Sequence, residues 1–105
     1  MEHIIKRDGK VVAFDSNKIK IAITKAFEST KEVNYTEEEQ EIIINKVIEK
    51  IIALKKDQTI EQIQDTVEKQ LLKTAPMVGK NFLIYRRERT KIRNKKQNAM
   101  IHELI

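Results

Sequence analysis

Two groups of cations are the residues in this chain with chemistry to offer. Lys6-Arg7-Asp8-Gly9 places two positive charges beside a tight turn, and the stretch from Lys80 to Lys96 holds eight cations against a single acid, Glu88. That stretch carries +7, so the rest of the chain stands at −2 although the formal total is +5. Clustered Lys and Arg attract phosphate, whether in a nucleic acid or in a small nucleotide. Lys18 adds a further cation, and Arg86 and Arg89 sit one helical turn apart. A hairpin packed over helices bearing these groups would form a cleft with aliphatic walls for a planar base and cations for phosphates, with arginine gripping two oxygens at once. Solvated Lys and Arg on an ordinary surface give the same pattern, and charge alone leaves both readings open.

Catalytic chemistry has little to build on. There is no cysteine, and His3 and His102 lie at opposite ends of the chain, so neither a thiol nucleophile, a cysteine-ligated zinc nor a Ser/His/Asp arrangement can be argued from spacing. Glu37, Glu38, Glu39 and Glu41 read as carboxylates favoured at a helix N-terminus rather than as a metal site, and they lack the alternating ligands and central glycine of a calcium loop. Gly79-Lys80 is a fragment of a phosphate-binding loop only in appearance. That motif needs glycine five residues before Gly79 and Ser or Thr after Lys80, where this chain has Thr74 and Asn81.

The elements that would position the cations follow from local pattern. His3 to Phe14 reads as a β-hairpin, with Ile4 and Ile5 before an Asp8-Gly9 two-residue turn and Val11, Val12 and Phe14 after it. Strand alternation sends Lys6 and Arg7 to opposite faces and puts Ile4 on the face of Lys6. Asp15-Ser16-Asn17 offers an N-cap for a helix over about 16–29, carried by Ile19, Ala22, Ile23, Ala26 and Phe27. Thr36 and Glu39 form a capping box for a second helix to about Leu54. Thr59-Ile60 is either a short third strand or the entry to a third helix over about 60–73, marked by Ile63, Val67 and Leu71. Pro76 suits the first turn of a fourth helix, running to about 95 with Val78, Phe82, Tyr85, Arg89 and Ile92 on one face. Asn94 to Ile105 reads as a polar trailing segment with an apolar end. The expected fold is α+β: a four-helix bundle capped by a small three-stranded β-sheet that includes the N-terminal hairpin, since two strands alone are rarely stable. With 105 residues and 40% hydrophobic content, one domain with one modest core is expected. No apolar run approaches the ~20 residues that span a bilayer, and Met1 to Lys10 has no apolar signal core. A cytoplasmic location is the expectation.

Three separated motifs resemble one family. Lys6-Arg7-Asp8-Gly9-Lys10-Val11-Val12-Ala13-Phe14-Asp15, followed by Lys18-Ile19 and Ala22-Ile23, resembles the opening of the ATP-cone domain. Ile63-Gln64-Asp65-Thr66-Val67-Glu68 is similar to its central helix, and Tyr85-Arg86-Arg87-Glu88-Arg89 to its closing helix. The resemblance covers about residues 3–93. It implies an ATP-cone nucleotide-binding regulatory domain over 1–95, with 96–105 a linker or the start of a following segment.

The family is best known as the N-terminal regulatory domain of ribonucleotide reductase. The resemblance therefore implies an allosteric domain, without catalysis of its own, that binds ATP or dATP with Mg2+ on the phosphates. It would switch the parent enzyme's overall activity through changed oligomeric packing, with the catalytic domain or other reductase subunits as partners and a homo-oligomer among the assemblies. By position, Lys6 and Arg7 would bind phosphate and Gly9 would make the turn. Ile4, Phe14, Ile19 and Ile63 would wall the adenine, and Asp15 would accept from its amino group. Lys18 and Arg89 would reach the phosphates, with Arg86 a weaker candidate, and Thr59 and Gln64 would lie near the sugar or phosphates. Val12 stands where some cones carry a polar residue that contacts the base.

Other readings make different demands. A repressor of reductase genes joins a cone to a cysteine-rich zinc ribbon, and this chain has no cysteine. A nucleic-acid-binding module would use the basic C-terminal helix, but the aromatic content is only 5%, and Phe82 and Tyr85 fall on the expected apolar face rather than on a stacking platform. A cone that has lost its ligand is the third alternative.

Overall fold

A computed structural model describes the backbone of residues 2–104 and the side chains of residues 2–94. The chain runs β1 (His3–Ile5), β2 (Val11–Ala13), α1 (Ser16–Ser29), α2 (Glu37–Ile52), β3 (Gln58–Thr59), α3 (Ile60–Thr74) and α4 (Pro76–Leu104). This is the expected α+β arrangement of four helices and a three-stranded sheet.

β1 is the central strand. It pairs antiparallel with β2, placing Ile4 opposite Val12, and parallel with β3, placing Ile5 opposite Thr59. The hairpin loop differs from the expected two-residue turn. Lys6 N–H donates to the Lys10 carbonyl at 2.8 Å and Gly9 N–H to the Lys6 carbonyl at 2.9 Å, so Arg7, Asp8 and Gly9 form a three-residue loop. Only Gly9 takes a positive φ, +85°, the left-handed position such loops reserve for glycine. Asp8 contributes through its carboxylate instead, accepting from Lys10 N–H at 3.0 Å.

The helices begin where their caps dictate. Asp15 accepts from Asn17 N–H at the start of α1, Thr36 and Glu39 form the reciprocal box of α2, and Thr59 and Gln62 form a second box at α3. Thr59-Ile60 thus serves both expected purposes, since Thr59 ends β3 and caps α3. Each helix packs on its neighbours in chain order, and α4 closes the bundle against α1. The core is aliphatic: Ile23, Val47, Ile51, Ile63, Val67, Leu71 and Val78 are fully buried. Phe27 adds an edge-on contact with Tyr35, ring centres 5.2 Å apart.

α4 departs from expectation in two ways. It runs unbroken to Leu104 rather than ending near 95, because nothing between Gln97 and Leu104 is a glycine or proline stop. Its expected apolar face is also only half buried: Val78 and Phe82 enter the core, whereas Tyr85, Arg89 and Ile92 are exposed. Beyond Phe82 the part-buried contact of α4 with the bundle passes from that face to Arg86, which is held by Gln64, Glu61, Asp65 and Glu68 of α3. Asn81, on the same helix, donates to the buried Thr30 hydroxyl at 2.8 Å and so ties α4 to the end of α1.

Candidate functional site

The sheet, α1, α3 and α4 enclose a cleft of about 560 Å³, within the range of small-molecule sites. Ile4 and Lys6 enter from β1 and its loop, Val12, Ala13 and Phe14 from β2 and its exit, and Asp15, Lys18, Ile19 and Ala22 from one stripe of α1. Ile60, Ile63, Gln64 and Val67 form the matching stripe of α3, and Phe82 closes the floor from α4. The interior is aliphatic and aromatic, while Lys6, Lys18, Asp15 and Gln64 supply its polar groups. Ile4 and Lys6 both face this cleft, as their shared strand parity requires, and Arg7 turns away.

Eight of the thirteen residues expected at a site line the cleft: Ile4, Lys6, Phe14, Asp15, Lys18, Ile19, Ile63 and Gln64. Five do not. Gly9 shapes the loop. Thr59 is occupied as the cap of α3, its hydroxyl accepting from Gln62 N–H at 3.1 Å. Arg89 is exposed on α4. Arg7 donates to Glu61 at 3.0 Å. Arg86 is held by Glu61 at 2.9 Å, Asp65 at 2.9 Å and Glu68 at 3.4 Å, with its Nε donating to the Gln64 amide oxygen at 3.1 Å.

Glu61 therefore bridges the hairpin loop to α4, one carboxylate oxygen on Arg7 and the other on Arg86. The hydrogen bond from Arg86 outweighs partial burial and, with that from Arg7, holds the Glu61 carboxyl below the usual carboxylate range. Burial opposes the charge on Arg86, but hydrogen bonds to Asp65 and Glu61 more than offset it and raise that guanidinium further above its already high range.

Val12, Ala13, Ala22, Ile60, Val67 and Phe82 also line the cleft. A helical-stripe signal was available for three of them, since Ala22 continues Lys18-Ile19 and Ile60 and Val67 flank Ile63-Gln64 at spacings of three and four. No local signal brings Phe82 there, because α4 joins the site only through tertiary packing. A smaller cavity of about 210 Å³ lies between α1 and α4, lined by residues that include Lys25, Ser29, Tyr85 and Glu88. Among the described residues no group of three or more His, Cys, Asp or Glu could hold a metal ion, and no helix is long and apolar enough to cross a membrane.

Comparison with known families matches residues 2–91 to the ATP cone domain. The chain belongs to the ATP cone family. Curated relatives of this cone include the vitamin B12-dependent ribonucleoside-diphosphate reductase of Thermoplasma acidophilum, 37% identical over 92% of this chain and 13% of the relative. The ribonucleoside-diphosphate reductase subunit alpha of Chlamydia pneumoniae is 36% identical over 91% of this chain and 10% of the relative. That of Chlamydia muridarum is 32% identical over 95% and 10%. The cone thus spans roughly a tenth of the length of these relatives.

Proposed function

We propose that this cone is a nucleotide-sensing regulatory domain that takes ATP or dATP in the 560 Å³ cleft and reports the occupant to a ribonucleotide reductase. The observation that carries this reading is the composition of the cleft: apolar walls from the hairpin, α1, α3 and α4, with the cations Lys6 and Lys18 in the same lining. The adenine lies against Ile4, Phe14, Ile19 and Ile63, with Asp15 accepting from its amino group. One lone pair of Asp15 serves the α1 cap, and a carboxylate has others to offer. Lys6 and Lys18 hold the phosphates, and Arg7 and Arg89 join from the margin by rotation of their long side chains. Mg2+ travels on the phosphates, since one carboxylate in the cleft does not make a metal site. Thr59 and Gly9 keep the hairpin and α3 in register around the ligand.

Switching then depends on a single hydroxyl, the difference between ATP and dATP. A ligand shifts an equilibrium only by its differential affinity for the two states, and allosteric coupling typically amounts to ~1–3 kcal/mol. Exposed helix faces pass that difference to reductase subunits or to a second cone, in the cytoplasm. Isothermal titration calorimetry of the chain with ATP and dATP in magnesium buffer tests the reading, with Lys6→Ala as control and a short DNA duplex as competitor. Saturable nucleotide binding that weakens in the control supports it. DNA binding with no nucleotide binding would transfer the function to the basic α4 surface.

A further inference from the structure

Resting on that nucleotide reading, we propose that Arg86 is a positioning residue: it pins the Gln64 side-chain amide so that its NH2 group faces the nucleoside part of the ligand, and it binds no phosphate itself.

An arginine side chain carries only donors. The Gln64 atom facing Arg86 Nε at 3.1 Å must therefore be its oxygen. The other prong of the amide is then a pair of N–H donors, and Gln64 lines the cleft between Ile63 and Val67. These aliphatic neighbours on α3 belong to the wall that suits a base and sugar, whereas Lys6 and Lys18 enter from the hairpin loop and from α1. Left unpinned, a glutamine amide turns over and offers donor or acceptor alike. Pinned, it selects for ligand atoms that accept, such as a ring nitrogen or a sugar oxygen.

Arg86 is fixed firmly enough to impose this. Its side chain is 16% exposed, and its two terminal nitrogens are taken by Asp65, Glu68 and Glu61. It lies outside the cleft lining, and moving to a phosphate would break its ion pairs with Asp65 and Glu68 and leave Glu61 to Arg7 alone. The group formed by Arg7, Arg86, Glu61, Asp65 and Glu68 has a formal charge of −1, so the charge of Arg86 is already neutralised by its own partners.

A double-mutant cycle in ATP affinity separates positioning from phosphate contact and from general scaffolding. Wild type, Arg86→Lys, Gln64→Ala and the double variant are titrated with ATP. Arg86→Lys and Gln64→Ala are each expected to weaken ATP roughly five- to tenfold, the loss of one net hydrogen bond, and Arg86→Lys to have no further effect in the Gln64→Ala background. An undiminished loss in that background overturns the proposal, because a phosphate ligand or a mere scaffold would act independently of Gln64. Gln64→Glu guards against a folding defect in Arg86→Lys. It keeps an acceptor for Arg86 but offers no N–H to the ligand, so wild-type melting with weakened ATP is expected, and wild-type ATP affinity overturns the proposal. NMR of the ligand-free chain gives a readout without nucleotide: the Gln64 NH2 pair is ordered in wild type and mobile in Arg86→Lys, and equal mobility in both overturns the pin. Absence of ATP binding by wild type overturns the nucleotide reading and the proposal together, whereas wild-type binding with an additive cycle overturns the proposal alone.

Discussion

Gly79 on α4 lies so close to Leu72 on α3 that a Cβ at Gly79 would stand 2.7 Å from the Leu72 backbone nitrogen. The contact is with main chain, not with the end of a pliable side chain, so relief requires α3 and α4 to separate. Overpacking of this kind costs ~1–3 kcal/mol, more than the ~0.5–1 kcal/mol that alanine gains over glycine within a helix. Gly79→Ala is expected to lower stability in urea denaturation by a net ~1–2 kcal/mol. Because Phe82 and the Arg86–Gln64 contact lie one and two turns further along α4, nucleotide affinity should fall with it.

Lys18 occupies the same stripe of α1 as Asp15, Ile19 and Ala22, on the wall of the cleft. Lys18→Ala is expected to weaken ATP about tenfold or more, the loss of one charge-assisted hydrogen bond. Calorimetry at rising ionic strength checks the cause, since salt screens charge pairs: the gap between wild type and variant should narrow as salt increases.

The wall strand β2 is exposed along its whole length, and Val12 is 39% exposed at the cleft. A ligand that fills the cleft covers this surface and ties the sheet to α1 and α3. At a free ATP concentration a hundred times its Kd, binding stabilises the folded state by ~2.7 kcal/mol. For a domain of this size that raises Tm by roughly 10–20 °C. Scanning calorimetry with and without ATP measures the rise, and an unchanged Tm at saturating ATP would count against the cleft as the site.

The Arg7–Glu61–Arg86 bridge predicts a pH dependence. The Glu61 carboxyl titrates below its ordinary value in the folded chain, so its contribution is present above the unfolded pKa of ~4.3 and is lost as pH falls through the lower folded value. Its side chain is 52% exposed, and solvent screening keeps the contribution to ~1 kcal/mol or less. Glu61→Gln should be less stable than wild type by that amount at pH 7. Urea denaturation across a pH series should show the difference closing below about pH 4.

The sequence by itself determined whatever is decided within a few residues of chain. Asp15, Thr36 and Thr59 mark the starts of helices because a cap is a local hydrogen bond between a side chain and a backbone N–H two or three residues on. Ile4 and Lys6 share a face because strand geometry alternates, and Lys18, Ile19 and Ala22 share one because a helix turns every 3.6 residues. These local rules account for most of the cleft, whose lining comes mainly from one face each of the hairpin, α1 and α3.

Tertiary structure decided what depends on elements far apart in sequence. Arg86 has the residue type and spacing of a phosphate ligand, yet the packing of α3 on α4 surrounds it with Glu61, Asp65 and Glu68 and turns it toward Gln64. Arg7 meets Glu61 across 54 positions, a pairing that strand parity could only leave room for by sending Arg7 away from the cleft. Phe82 becomes the floor of the site only once α4 lies across α1 and α3, and Gly79 becomes a position with no room for a Cβ only once α4 packs on α3. Charge and periodicity are carried by each residue or its near neighbours, whereas the partner that neutralises a cation or closes a cavity is supplied by the fold.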